Sequence, residues 1–181
     1  GLELGVSINV SARDLQDAAF PDCVLQACRT SSTPPHTLTL ELTERALLSD
    51  PAKTNAAFQR LNDDGVRLSI DDFGTGYSSL SYLQSLPVDE IKIDRTFVGG
   101  LFTDARSEAI VRSVIDLGRN LGMAVVAEGV EQQRVWECLA SLGCDVAQGY
   151  HICRPLSAVD LTPALKEPPW FAAGNGSANG T

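Results

Sequence analysis

Short apolar runs that each end on a polar side chain recur along this chain. Apolar and polar positions alternate in most of them, as in Leu38-Thr-Leu-Glu41, which indicates β-strands. The steps between the ends of successive runs are roughly 20 to 36 residues, enough for one strand and one helix, which predicts parallel β/α units. The predicted strands are Val6–Asn9, Leu38–Glu41, Leu68–Asp72, Glu90–Asp94, Ala124–Glu128 and Asp145–Gln148.

Helical patterns fill most gaps between these strands. Apolar residues recur there with helical spacing, and glycines such as Gly65, Gly122 and Gly143 follow the last turns. The predicted helices are Pro21–Thr30, Lys53–Asp63, Ile110–Leu121 and Val135–Leu142, with a short helix between Ser78 and Pro87. We expect a domain over residues 1–165 and a flexible tail over 166–181, where Gly, Asn, Ser and Ala predominate.

The polar residues at the strand ends are expected to converge, because the carboxyl ends of parallel strands meet at one face of a sheet or barrel. Carboxylates gathered there repel one another unless cations lie between them. Six β/α units are too few for a closed eight-stranded barrel. The pattern therefore predicts either an open six-stranded sheet or a barrel without its opening strands, whose exposed edges favour aggregation or completion by another chain.

Composition restricts the possible partners. The 181 residues are 44% hydrophobic, enough for one domain with a core. A net charge of −9 argues against a basic groove for a nucleic-acid polymer, and no apolar run approaches the ~20 residues of a membrane span. The five cysteines contain no C-x-x-C pair, and we expect reduced, mostly buried thiols in a cytoplasmic domain.

The most specific stretch is Asp71-Asp72-Phe-Gly-Thr-Gly-Tyr-Ser-Ser-Leu80. Adjacent aspartates at a strand end can face opposite sides, so that one bridges two divalent cations and the other holds one. Gly74 and Gly76 allow a sharp turn that brings backbone amides or the Ser78 hydroxyl near a ligand. The alternative is a plain turn with Ser78 as a helix N-cap.

Glu41 and Asn9 end two neighbouring strands. Alternation places Glu41 opposite the leucines of its strand, and we expect it to face inward. Glu44 fits better as a carboxylate that stabilises the next helix dipole. Asn9 is either a cap for the helix that Ser11 opens or a neutral oxygen ligand in a Mg²⁺ or Mn²⁺ site.

Lys92 alternates with two isoleucines and is expected to face inward, where a carboxylate or phosphate must pair with it. Asp94 is a candidate for that partner. Glu128 and Glu131 follow another strand beside a glycine, and either they bind a ligand or they start a helix. Gln148 repeats the pattern with an amide.

These motifs together resemble EAL-domain cyclic di-GMP phosphodiesterases from about Val6 to Pro155. The resemblance implies a modified (β/α)₈ TIM-type barrel, truncated here to about six β/α units that correspond to the third to eighth strands. The motifs that carry it are Ser7-Ile-Asn-Val-Ser11, Glu41-Leu-Thr-Glu44, Asp71 to Leu80, Ile91-Lys-Ile-Asp94, Ala127-Glu-Gly-Val-Glu131 and Gly143 to Gly149.

The resemblance also implies residue roles. The metal ligands for Mg²⁺ or Mn²⁺ would be Asn9, Glu41, Asp71, Asp72 and Glu128. Glu128 would also act as the general base, and Lys92 would orient the water or stabilise phosphate charge. Support for the water and metal shell would come from Glu131 and Gln148, and Glu44 would hold the loop after Asp72.

The implied reaction is metal-dependent hydrolysis of cyclic di-GMP to linear pGpG. The family further implies a homodimer through the loop after Asp72, fusion to sensory or diguanylate cyclase domains, and a parent protein that a membrane anchor can hold. The 181 residues lack the Glu-Ala-Leu signature and its nearby substrate-binding arginine, so we expect little activity from this chain alone.

Three other functions remain open. A catalytically silent cyclic di-GMP sensor would bind without making pGpG. An enolase-like barrel would use Glu41, Asp71 and Glu128 around one Mg²⁺ with Lys92 as base, although the aspartate pair favours two metals. An interaction scaffold would pair its open barrel with another chain.

Overall fold

Six parallel strands lie side by side in the order in which they occur along the chain. The computed structural model describes residues 4–76 and 80–166. Within these residues the predicted strands are present, with ends that shift by up to two residues. They are β1 Val6–Asn9, β2 Leu38–Thr43, β3 Arg67–Phe73, β4 Glu90–Ile93, β5 Ala124–Ala127 and β6 Val146–Ala147.

Helices connect the strands. Each helix with predicted bounds is present, and so is α1, the helix expected to begin at Ser11, whereas α3, α6 and α9 had no predicted bounds. The helices are α1 Ala12–Gln16, α2 Phe20–Ser31, α3 Glu44–Leu47, α4 Pro51–Asp63, α5 Leu80–Ser85, α6 Arg95–Gly99, α7 Ala105–Leu121, α8 Gln133–Leu142 and α9 Ala158–Lys166, with a 3₁₀ turn at Pro35–Thr37. The three short helices α1, α3 and α6 are four or five residues long and begin at side-chain caps, from Ser11, Thr43 and Asp94.

The two faces of the sheet differ in chemistry. The outer face packs its aliphatic residues against the helices, where Phe58, Leu61 and Val111 are fully buried. Each such side chain contributes about 1.5–3 kcal/mol to folding. The inner face carries polar side chains that are nevertheless buried, namely Thr39, Glu41, Ser69 and Lys92. The functional groups therefore project from the inner face.

The sheet is open at both edges. Val6 and Ile8 of β1 are 55% and 49% exposed, although their register partners Leu38 and Leu40 in β2 are buried. Partners in register share a face, so this apolar face of β1 lacks the helix cover that β2 has. Val146 in β6, at the other edge, is 47% exposed.

Two further expectations concern the surface. The expectation of mostly buried cysteines is wrong: all five are free thiols, but only Cys28 is buried, whereas Cys23 on the same helix is exposed. The structure continues α9 to Lys166, one residue past the expected domain boundary, and residues 167–181 of the predicted tail lie outside the described residues. Among the described helices, none has the length and hydrophobicity that crossing a bilayer requires.

Candidate functional site

Lys92 lies at the centre of the inner face. Its neighbours Ile91 and Ile93 are fully buried on the outer face, so alternation directs Lys92 inward as predicted. Its Nζ lies 2.7 Å from Glu41 Oε2, 2.6 Å from Glu128 Oε1 and 3.5 Å from Asp71 Oδ1. Three strand ends thus place carboxylates around one buried ammonium.

This arrangement shifts the proton affinities of its members. Burial by itself lowers the pKa of Lys92, but hydrogen bonds to Glu128 and Glu41 outweigh it and raise that pKa above its usual value. Burial raises the pKa of Glu128, and the charges of Asp71 and Glu41 add to that rise against the opposing effect of Lys92. Without divalent cations, Lys92 is the cation that offsets the repulsion between these carboxylates.

A bulge in β3 brings both aspartates to the site. Ile70 pairs with Ile91 and Phe73 with Ile93, so β3 has one more residue than β4 between these pairs. Asp72 adopts a left-handed backbone with φ of 54°, which Asp and Asn tolerate better than most residues. Strict alternation would turn Asp72 away from Asp71, and the bulge prevents this.

The resulting cluster fits a hard divalent cation. Asp71, Asp72 and Glu128 each place one carboxylate oxygen within 4.8 Å of the others. Carboxylate oxygens are the ligands that Mg²⁺, Mn²⁺ and Ca²⁺ prefer. Burial raises the pKa of Asp72, as do the charge of Asp71 and contact with Asp94, so a cation here would replace unfavourable repulsion with attraction.

Asp94 has a different place from the one expected. It does not pair with Lys92 within 4.0 Å in the described structure. It caps α6 by accepting the Thr96 N–H at 2.9 Å, and its carboxylate interacts with that of Asp72, whose pKa it helps to raise. Burial raises the pKa of Asp94, but the hydrogen bonds from Thr96 outweigh this effect and lower it. The sequence shows that Asp94 directly follows a strand, but its contact with Asp72 was not predicted.

Glu44 holds the glycine loop after β3. It is 3% exposed, and its Oε2 accepts the N–H groups of Gly74 at 3.2 Å and Gly76 at 2.9 Å. A Cβ on Gly76 would lie 2.8 Å from Glu44 Cδ, so only glycine lets the backbone approach this closely. Ser78, which the sequence suggested as a ligand contact or cap, lies outside the described residues.

Asn9 ends β1 in register with Glu41 and shares its face. The cap that the sequence offered to Asn9 belongs to Ser11, whose hydroxyl accepts the Asp14 N–H in a capping box. Asn9 is therefore not needed for capping. It lies exposed at the open edge beside the carboxylate cluster.

Within the described residues, neither Gln148 nor Glu131 makes a side-chain hydrogen bond or ion pair to the carboxylates or to Lys92. The Gln148 N–H donates to Ala127 at 2.8 Å and its carbonyl accepts from Val130 at 3.0 Å, which extends the pairing of β6 with β5 by backbone contacts alone. Glu131 is exposed and lines a neighbouring cavity with Arg95. The structure thus brings five of the predicted residues into one group, Glu41, Asp71, Asp72, Lys92 and Glu128.

Comparison with known proteins identifies the family of this chain. The EAL domain model matches residues 1–155. The bifunctional diguanylate cyclase/cyclic di-GMP phosphodiesterase MucR of Pseudomonas aeruginosa is 42% identical over 160 residues, which are 88% of this chain. The chain spans 23% of the length of that relative.

Solved structures extend the match to the backbone. The MucR phosphodiesterase in complex with cyclic di-GMP superposes with a TM-score of 0.84 and 42% identity, covering 87% of this chain and 64% of that one. The manganese and cyclic di-GMP complex of Klebsiella pneumoniae BlrP1 gives a TM-score of 0.78 and 32% identity, covering 83% of this chain and 39% of the other. These matches confirm the predicted TIM-type barrel, of which the described residues form six β/α units. Since the family model covers most of its length, the chain belongs to the EAL domain family.

Proposed function

We propose that this chain carries the main part of an active site that hydrolyses cyclic di-GMP to linear pGpG with divalent cations. The observation that carries the proposal is the convergence of Asp71, Asp72 and Glu128 beside Lys92. Relatives named as cyclic di-GMP phosphodiesterases and solved complexes with that ligand support it.

The oxygen atoms of the predicted metal ligands suit this chemistry. Asp71, Asp72 and Glu128 would hold the cations, with Glu41 and Asn9 as further ligands, and bound Mg²⁺ or Mn²⁺ would polarise phosphate oxygens and lower the pKa of a water. In hydrolysis the water oxygen forms a bond to phosphorus while the bond to the ribose 3′-oxygen breaks. The product then carries a 5′-phosphate and a free 3′-hydroxyl.

Glu128 is the proposed general base. Burial raises the pKa of its carboxyl, and a base works best when its pKa approaches the operating pH. It would take the proton that the water loses as the new bond to phosphorus forms. Its hydrogen bond with Lys92, 2.6 Å long, fixes the carboxylate in position.

Lys92 is proposed to stabilise negative charge. Its ammonium already neutralises part of a cluster that would otherwise repel an anionic dinucleotide. Glu44 acts indirectly, since its hydrogen bonds hold the loop that follows Asp72. We propose that Glu131 and Gln148, which follow the neighbouring strands, support the water and metal shell.

A specific observation favours slow turnover by the isolated chain. None of its 181 residues forms the Glu-Ala-Leu signature, and the β1 edge that carries Asn9 is exposed. Fewer anionic ligands weaken metal binding. We therefore expect this chain alone to turn over cyclic di-GMP slowly.

The test compares two proteins by chromatography of cyclic di-GMP reactions containing Mn²⁺. One is the 181-residue chain, and the other is a chimera in which a β/α segment with the Glu-Ala-Leu signature precedes Gly1. The chimera should form pGpG, EDTA should abolish this, and Glu128→Gln should lower kcat at least a hundredfold. The exposed control Glu137→Gln should leave kcat unchanged. A folded chimera that binds cyclic di-GMP but forms no pGpG would identify a sensor instead.

A further inference from the structure

A cavity of about 350 Å³ lies between α6 with the turn that follows it and the loop after β5 with the start of α8, and its lining includes Gly129, which directly follows Glu128. It is lined by polar and charged side chains, among them Arg95, Thr96, Glu131, Gln132 and Arg134, with the ring of Phe102 at one side. We propose that this cavity binds a nucleotide through a terminal phosphate monoester. Cyclic di-GMP itself contains only phosphate diesters. A free mononucleotide as the ligand is independent of the function above, whereas pGpG as the ligand rests on that proposed function.

The charge of the cavity favours an anion. It contains two arginines and one glutamate, in a chain whose net charge is −9. Across residues 4–76 and 80–166, no ion pair within 4.0 Å involves Arg95, Arg134 or Glu131. Guanidinium groups bind phosphate in a planar, bidentate manner that few other side chains match.

Arg134 is held in position for such a contact. Its Nε donates to Gln132 Oε1 at 2.8 Å, and its guanidinium carbon lies 5.0 Å from the centre of the Phe102 ring. A guanidinium has five N–H donors, and in the described part of the chain only the Nε–H has a partner. The terminal N–H groups therefore remain available to a phosphate.

The first turn of α8 adds donors at the same place. This ten-residue helix begins at the cavity, its N-cap Gln132 makes no side-chain cap, and its first turn has no acidic residue. The Val135 and Trp136 N–H groups donate to the Gln132 carbonyl, and among the described residues those of Gln133 and Arg134 have no hydrogen-bond partner. Such N–H groups at the start of a helix favour negative charge. Arginines and helix donors thus act together on one anion.

The wall of the cavity is fixed by close packing. Gly129 has φ of 69°, and a Cβ there would lie 2.6 Å from Arg95 Cβ. The stem of Arg95 therefore packs on the backbone of the loop after β5, which joins the two loops. A site formed before binding loses less entropy when a ligand arrives.

The size of the cavity argues for more than inorganic phosphate. Small-molecule sites span roughly 300–1,000 Å³, and this volume falls within that range. Phe102 is 50% exposed and offers an aromatic surface for a sugar or base. A nucleotide 5′-monophosphate matches both the volume of the cavity and its aromatic surface. Two molecules supply such a group equally well, namely a free mononucleotide such as GMP and pGpG with its 5′-phosphate.

The experiment is a binding titration of the ¹⁵N-labelled 181-residue chain in EDTA, followed by amide chemical shifts. Without divalent cations, the result is independent of turnover and of the proposed hydrolysis. GMP should saturate shifts at Thr96, Thr103 and the first turn of α8, and guanosine should not. Arg134→Gln and Arg95→Gln should each weaken GMP binding about tenfold. The matched control Arg112→Gln, an exposed arginine paired with Glu108 on α7, should bind as the parent chain does.

Competition with pGpG, GMP and inorganic phosphate distinguishes the sources. Tighter binding of pGpG than of GMP would identify the dinucleotide as the ligand, and the reverse would identify a mononucleotide. Equal affinity for inorganic phosphate and GMP would overturn the nucleotide assignment. The absence of saturable shifts, equal shifts with guanosine, or unchanged affinity in both folded arginine variants would overturn the proposal itself.

Discussion

Replacing Lys92 with methionine should destabilise the metal-free chain severely. Methionine keeps the apolar stem but removes the ammonium, which lies within 3.5 Å of three carboxylates in a side chain that is 5% exposed. Removal of one partner from a buried ion pair leaves an uncompensated charge and typically costs about 3–5 kcal/mol. We expect the free energy of unfolding to fall by about that amount at neutral pH.

The measurement is urea unfolding followed by far-ultraviolet circular dichroism in EDTA. The matched control is Lys53→Met, since Lys53 is 57% exposed and its Nζ lies 3.6 Å from Asp50 on the surface. Exposed pairs of this kind contribute about 0–1 kcal/mol. A similar loss in both variants would show that the charge of Lys92 does not hold the cluster together.

The destabilisation caused by Lys92→Met should also depend on pH. The pKa of Glu128 is raised in the folded chain. At pH values just above the usual glutamate pKa, the folded state therefore binds more protons than the unfolded state. Protonation of this carboxyl removes part of the repulsion, and the loss caused by Lys92→Met should shrink as the pH falls from 7 towards 4.5. Saturating Mn²⁺ should also reduce the loss. A loss that grows at low pH would refute the reasoning.

Two further variants separate metal binding from stability. Asp72→Asn removes one negative charge and keeps a residue that tolerates the left-handed backbone. Calorimetry should therefore show an Mn²⁺ affinity at least about tenfold lower, while the midpoint of urea unfolding does not fall. The control Asp63→Asn, on the surface of α4, should change neither quantity. An unchanged Mn²⁺ affinity would remove Asp72 from the ligand set. Gly76→Ala should lower the free energy of unfolding in urea by about 1–3 kcal/mol, because the added Cβ would displace the Glu44 carboxylate from its two amide donors. The control is Gly5→Ala, where a Cβ would meet only an ordinary contact at 3.6 Å. Equal losses in the two variants would contradict this packing.

Much of the fold follows from local periodicity. Alternation in β2 and β4 was enough to predict that Glu41 and Lys92 face inward, because successive side chains of a strand lie on opposite faces of the sheet. The long helices were equally visible, since each has an apolar stripe and most end at a glycine with a left-handed backbone. The short helices α1, α3 and α6 have no room for a stripe and depend on single caps.

The details that set the site's geometry depend on contacts between distant parts of the chain. The extra residue in β3 is visible only in its register with β4, so sequence alternation alone could not place Asp72 with Asp71. The contact between Asp94 and Asp72 joins two strand ends in the same way. The cavity around Arg95 and Arg134 forms because two loops pack at Gly129, which no spacing in the sequence indicates.

Our central proposal is that carboxylates from separate strand ends would hold two divalent cations, with Asp71 as a ligand that both would need. Electron paramagnetic resonance of Mn²⁺ in the 181-residue chain tests this claim most directly, because two ions about 3.5–4 Å apart are magnetically coupled. At saturating Mn²⁺ the spectrum should show a coupled pair with two ions per chain, and Asp71→Asn should abolish the coupling. A single uncoupled Mn²⁺ per chain, or coupling that survives Asp71→Asn, would contradict the account.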